Sequence, residues 1–244
     1  MGIGGEGGSG DGFSHPVERL HQSPRVTEIP HTVEVSGFGE REAFIRRIVE
    51  SVGLPLDNVS RITFQERSAQ DTVNSGVLGS VHMETGELSF YKRLEGLPEI
   101  AQLGVATHEL AHENDPHNVN NARLYGSEEN MRMTAENVKK IADQTIDTEV
   151  FMNWYHKFLF EKLESGQIDN DRFLRETHAI MIELRFTNPN HLKEVLRSQD
   201  KETADEIFNN LDNTLLALMP HLKTTEELNK HIDSLHNSFK KSVN

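Results

Sequence analysis

The chain has 244 residues, with 39 Asp and Glu against 25 Lys and Arg and a formal net charge of -14. That balance argues against nucleic acid as the main partner, since phosphate binding draws on Lys and Arg. With Cys 0 there are no disulfides and no thiolate metal sites, so any metal must be held by His and carboxylates.

A hydrophobic fraction of 35% and a charged fraction of 26% suit a globular protein. No apolar run approaches the roughly 20 residues that span a bilayer, and the N-terminus lacks a secretory pattern. The expectation is a cytoplasmic protein with no membrane partner, with delivery as an effector or leaderless export as the alternatives.

Residues 1 to 12, MGIGGEGGSGDG, have high backbone entropy and little to bury, and read as a flexible tail. Residues 13 to 32 contain Pro16, Pro24 and Pro30 and extend it as an irregular arm. Residues 40 to 52 predict a helix. Phe44, Ile45, Ile48, Val49 and Val52 recur at helical spacing, and Gly53 and Pro55 stop it. Residues 59 to 65, VSRITFQ, predict a strand. Residues 79 to 83 and 87 to 91 predict two more, joined through Glu84-Thr85-Gly86 as a β-hairpin. Residues 97 to 112 predict a helix with Pro98 near its first turn.

Pro116 disfavours helix in the residue before it, and residues 117 to 130, rich in Asn, Gly and Ser, read as a loop. A long helix is expected over 131 to 165. Shorter helices follow at 170 to 186, stopped by Asn188-Pro189, and at 190 to 198, 201 to 219 and 224 to 241. Phe151, Trp154 and Phe158 read as core. The stripe Leu211, Leu215, Leu216 and Leu218 reads as helix packing, with a partner surface as the alternative.

The second of these helices, over 97 to 112, contains His108-Glu109-Leu110-Ala111-His112. Residues four apart on a helix share a face, so His108 and His112 can aim two imidazole nitrogens at one point. Glu109 stands beside them as a carboxylate able to take a proton from an attacking water. This is the chemistry that a zinc hydrolase requires, two neutral ligands on a rigid rod and a base.

A third protein ligand is needed. On the helix at 131 to 165, Glu136, Asp143, Asp147 and Glu149 are available. At about 100° per residue, Asp143 and Asp147 fall on a charged stripe, whereas Glu149 falls among Ile141, Ala142, Thr145, Met152, Leu159 and Leu163. A carboxylate on an apolar face costs several kcal/mol unless a charge compensates it, and a zinc ion would do so. Glu149 is therefore the preferred third ligand, with Glu176 or Glu183 on the next helix as alternatives. His156 lies two turns beyond Glu149 on the same face and is a candidate for steadying an oxyanion. Tyr125, Tyr155 and His178 are weaker candidates for that role. Asp115 stands near the motif helix's end, placed either to orient a ligand His or to cap the following loop.

A small mixed sheet leading into an H-E-x-x-H helix resembles the zincin metallopeptidases. The resemblance extends in layout over residues 40 to 165 and in strict motif over five residues. It implies an α+β fold in which the sheet's edge strand lies beside the active-site cleft. The metzincin type would place a third His at position 118, which is Asn118 here, with His117 one residue short. The gluzincin type takes a Glu from a later helix. Thermolysin-like members carry E-x-x-x-D, in which the Asp hydrogen-bonds a ligand His. Glu149-Val150-Phe151-Met152-Asn153 is similar, with Asn153 in the place of that Asp, so the resemblance implies a supporting role for Asn153.

Three parts are expected: an arm over 1 to 32, a catalytic core over 33 to 165, and a helical region over 166 to 244 packed on the core. The expected function is a zinc-dependent peptidase acting on a peptide or protein. A zincin-like metal-binding module without catalysis is the alternative, and a helical interaction protein with a chance motif is a third reading. His15, His21 or His31 on the arm could occupy the open coordination position and block the cleft.

Overall fold

Alternating apolar and polar residues over 61 to 65 and 87 to 91 generate the centre of a four-stranded sheet. The computed structural model describes residues 33–37, 39–65, 78–115, 161–162, 165–197 and 201–240. The strands are β1 (Glu34–Ser36), β2 (Arg61–Gln65), β3 (Gly79–His82) and β4 (Glu87–Tyr91), in the order β1-β2-β4-β3. β1, β2 and β4 are parallel, and β3 runs antiparallel to β4 as the edge strand among the described residues.

Ile62 pairs with Leu88 and Phe64 with Phe90, which puts the apolar side chains on one face, where Ile62, Leu88 and Phe90 are buried. The opposite face is polar. There the Thr63 and Ser89 hydroxyls lie 3.0 Å apart, and Gln65 Nε2 donates to both. The expected hairpin turn forms at Gly86, whose φ is 66°. A Cβ there would collide with the Asn58 carbonyl oxygen, so glycine is required. β1 was not foreseen. Three residues are too short to show an alternation, and β1 is recognisable only by its pairing with β2.

Helix α1 (Glu42–Val52) follows a 3-10 turn at Gly39–Arg41 and buries Ile45, Ile48, Val49 and Val52. It ends on Gly53 in the left-handed conformation, φ 81°. α2 (Glu99–Asn114) carries the motif. It touches α1, β3, α3 (Asn170–Thr187) and α6 (Thr225–Lys240), and so is buried on almost every side from Gln102 to Ala111. This explains why its sequence lacks a single apolar stripe, and why polar groups on it must find partners inside the protein.

α3 starts where the Asp169 side chain accepts from the Arg172 N–H at 2.8 Å, and it stops at Asn188. Pro189 then opens α4 (Pro189–Arg197), followed by α5 (Lys201–Leu218) and α6. Leu211 and Leu215 are fully buried, and Leu216 and Leu218 pack against the same core, as the packing reading expects. Arg185 of α3 ties the last helices together. Its Nε donates to Asp212 Oδ1 at 2.8 Å, Nη2 donates to Asn229 Oδ1, and the guanidinium lies 4.9 Å from the centre of the Phe208 ring.

The predicted helices and strands that fall on described residues agree with the observed ones to within two residues at each end. The arm at 1 to 32, the loop at 117 to 130 and nearly all of the helix at 131 to 165 lie outside the described residues. No helix among the described residues is long and apolar enough to cross a membrane.

Candidate metal centre

His108 and His112 stand one turn apart on α2, as the spacing requires. Their Nε2 atoms are 3.2 Å apart. α3 runs beside α2 and brings Glu176 to them. Its Oε2 lies 3.4 Å from His108 Nε2 and 3.3 Å from His112 Nε2. The three atoms make a nearly equilateral triangle. His108 and Glu176 are buried, His112 is partly so, and the group could hold a metal ion.

Behind the triangle lies a second carboxylate of α3. Glu183 Oε2 is 3.2 Å from His108 Nδ1 and accepts its N–H, which leaves Nε2 turned toward His112 and Glu176. Gly104 makes room for it, because a Cβ at 104 would lie 3.0 Å from Glu183 Oε1 and 3.2 Å from Thr187 Cγ2. A glycine inside a helix costs about 1 kcal/mol relative to Ala. Here it allows a buried carboxylate to pass close to the α2 backbone.

Glu109, next to His108 on α2, lies against the first residue of β3, Gly79. Its Cγ and Oε1 would lie 2.8 and 3.0 Å from a Cβ at that position. Together these parts place two imidazoles and one carboxylate that could hold a metal, one carboxylate behind His108 and one against β3.

The electrostatics are those of a site with too much negative charge. Burial alone would lower the pKa of His108, but Glu176, Glu183 and Glu109 outweigh it and carry the imidazole up to about 10. Burial raises Glu109 to about 7, helped by Glu176 and Glu183 and opposed by His108. Burial likewise raises Glu183 and lowers His112. Glu176 is buried too, yet its bonds to His108 and His112 hold it well below the usual carboxylate range. The Arg172 guanidinium approaches Glu176 Oε1 at 3.9 Å but is more than half exposed and strongly screened.

Of the residues singled out in the sequence, His108, Glu109 and His112 come together. Glu149, Asn153 and His156 lie outside the described residues, as do His117, Asn118, Tyr125, Tyr155, Glu136, Asp143 and Asp147. The carboxylate that the described residues bring to the two imidazoles is Glu176, one of the two alternatives on the next helix. Asp115 Oδ2 lies 3.7 Å from His178 Nε2. His178 is only 2% exposed, and burial and then His112 drive its pKa down to about 3.

The signal that could have selected α3 was present. Glu176 and Glu183 are two turns apart on one face of a helix whose other residues include Phe173, Ala179, Ile180, Met181, Ile182 and Leu184, all buried. Each of these two acids sits among apolar residues, as Glu149 does in the sequence, and each needs a compensating charge. No protein-family profile, no curated protein and no solved structure matches the chain.

Proposed function

We propose that the protein is a zinc-dependent metallopeptidase that cleaves extended peptide segments, with Glu109 as its general base. The observation that carries this reading is the triangle of His108 Nε2, His112 Nε2 and Glu176 Oε2, with edges of 3.2, 3.4 and 3.3 Å. The centre of a regular tetrahedron with edges of this size lies about 2.0 Å from each corner, the usual Zn–N and Zn–O distance. Calcium, with oxygen ligands at about 2.3–2.6 Å, fits neither the donor atoms nor the spacing.

His108, His112 and Glu176 would hold the ion, and Glu183 would keep His108 in the tautomer that presents Nε2. When bound, such an ion supplies positive charge that makes a water more acidic and polarises a carbonyl. Glu109 takes the proton from the attacking water and returns it to the leaving amine.

A peptide substrate is favoured by what lies next to Glu109. β3 is the antiparallel edge of the sheet among the described residues, in keeping with the layout implied by the zincin resemblance. Tyr91 N–H donates to the Leu78 carbonyl at 2.9 Å, so Leu78, Ser80 and His82 bond toward β4. Gly79 and Val81 therefore turn their main-chain groups away from β4, where an extended peptide could add as a further strand.

The test is Glu109→Gln in protein reconstituted with zinc. Zinc measured by elemental analysis should stay stoichiometric, while hydrolysis of a peptide library falls by about 10²–10⁴-fold. Undiminished hydrolysis overturns the mechanism. Tight zinc in a wild-type protein that cleaves no peptide selects the non-catalytic metal-binding alternative.

A further inference from the structure

A glycine inside a strand weakens it, so Gly79 at the start of an edge strand calls for a reason. The reason is not its backbone, since its φ lies outside the left-handed region and any residue could adopt it. What glycine supplies here is space. A Cβ at this position would lie 2.8 Å from Glu109 Cγ, 3.0 Å from Glu109 Oε1 and 3.0 Å from Val105 Cγ1. Two of those three contacts fall on one side chain, that of the proposed general base. The first is with its Cγ, midway along the chain, so the clash is not relieved by swinging the carboxylate tip alone.

We propose that Gly79 is a positioning residue for Glu109: by omitting a side chain it lets the base lie flat against the edge of β3. The assignment rests on the peptidase reading above. The main chain of Gly79 faces the open edge while the missing side chain faces Glu109, so one residue would touch both substrate backbone and base. A peptide paired to that edge then has its backbone at a set separation from Glu109. Positioning of this kind is demanding, since a shift of about 1 Å in a reacting group can cost on the order of 10²-fold in rate.

The experiment is Gly79→Ala in the full chain loaded with zinc, beside Ser80→Ala. Ser80 points to the polar face of the sheet, where its hydroxyl lies 2.8 Å from the Tyr91 hydroxyl. Gly79→Ala should lower kcat about 10- to 100-fold, with KM and zinc affinity nearly unchanged. Ser80→Ala should match the wild type. Added to Glu109→Gln, Gly79→Ala should bring no further loss, because both act through one carboxylate. A crystal structure of Gly79→Ala should find Glu109 moved off the strand, a readout that needs no activity.

If the single variant does not fold, Gly79→Ala with Val105→Ala removes the clash with Val105 and keeps the one with Glu109. Glu109 unmoved in the crystal, or an undiminished kcat beside an active wild type, overturns the assignment of Gly79 alone. A zinc-loaded wild type inert toward peptides is instead the failure of the peptidase reading.

Discussion

Helix α3 carries two buried charged clusters, and they differ in how their charge sums. Near its C-terminal end Arg185 meets Asp212, one positive and one negative group, each almost wholly buried, with Asn229 and the Phe208 ring completing the shell. Glu183, two residues earlier, and Glu176, two turns before that, meet His108 and His112, with Glu109 close by. The first cluster is complete as it stands. The second has three carboxylates against two imidazoles and the exposed, screened Arg172, and it raises the pKa of His108 to about 10 so that a proton supplies part of the missing charge. A balanced buried pair serves the fold, whereas an unbalanced one is a place for a cation.

The largest effect that would break this contrast lies in the balanced cluster. Asp212→Ala strands the Arg185 guanidinium without its counter-charge and should cost about 3–5 kcal/mol in urea unfolding, while zinc stoichiometry is kept. Replacing both partners together, Arg185→Met with Asp212→Leu, should cost far less. If the double replacement is as damaging as the single one, packing rather than charge governs that end of α3.

A smaller effect is expected in the unbalanced cluster, and of a different kind. Glu183→Ala removes a carboxylate from an excess, so the metal-free protein should lose much less stability than with Asp212→Ala. Zinc affinity, measured by chelator competition, should fall about 10- to 100-fold, with Glu183→Gln recovering part of the loss. Equal destabilisation by the two substitutions would erase the distinction between the clusters.

The mildest test is pH. The folded pKa of His108, about 10, is raised above its ordinary 6.5. Its contribution to the stability of the metal-free protein is therefore full below about pH 6.5 and is lost as pH rises toward 10. Glu109, raised from 4.5 to about 7, has the same sign, its contribution being lost as pH climbs through that interval. Zinc must displace the His108 proton, so its affinity should rise by up to about tenfold per pH unit over the neutral range. The gain in Tm on adding zinc should be larger at pH 8 than at pH 6. A gain that shrinks with pH would mean that zinc binds elsewhere.

The legible parts of the fold were those with a local period. The helix at 42 to 52 showed itself by Ile45, Ile48, Val49 and Val52, and the hairpin by alternation on either side of Gly86. β1 was illegible because three residues carry no period, and it exists by pairing with β2. The motif helix was readable from His108, Glu109 and His112, but not its burial on nearly every side, which comes from four elements closing around it.

Sequence by itself determined that two imidazoles and a carboxylate share one helix turn, because a helix of 3.6 residues per turn enforces it whatever surrounds the chain. It preferred Glu149 as the third ligand, with Glu176, Glu183 and His117 as alternatives. His108 and Glu183 are 75 positions apart, and no local periodicity relates residues at such separation. Only the packing of α3 against α2, permitted by the missing side chain at Gly104, brought Glu176 and Glu183 to His108. Only the pairing of β3 on the sheet set Gly79 against Glu109.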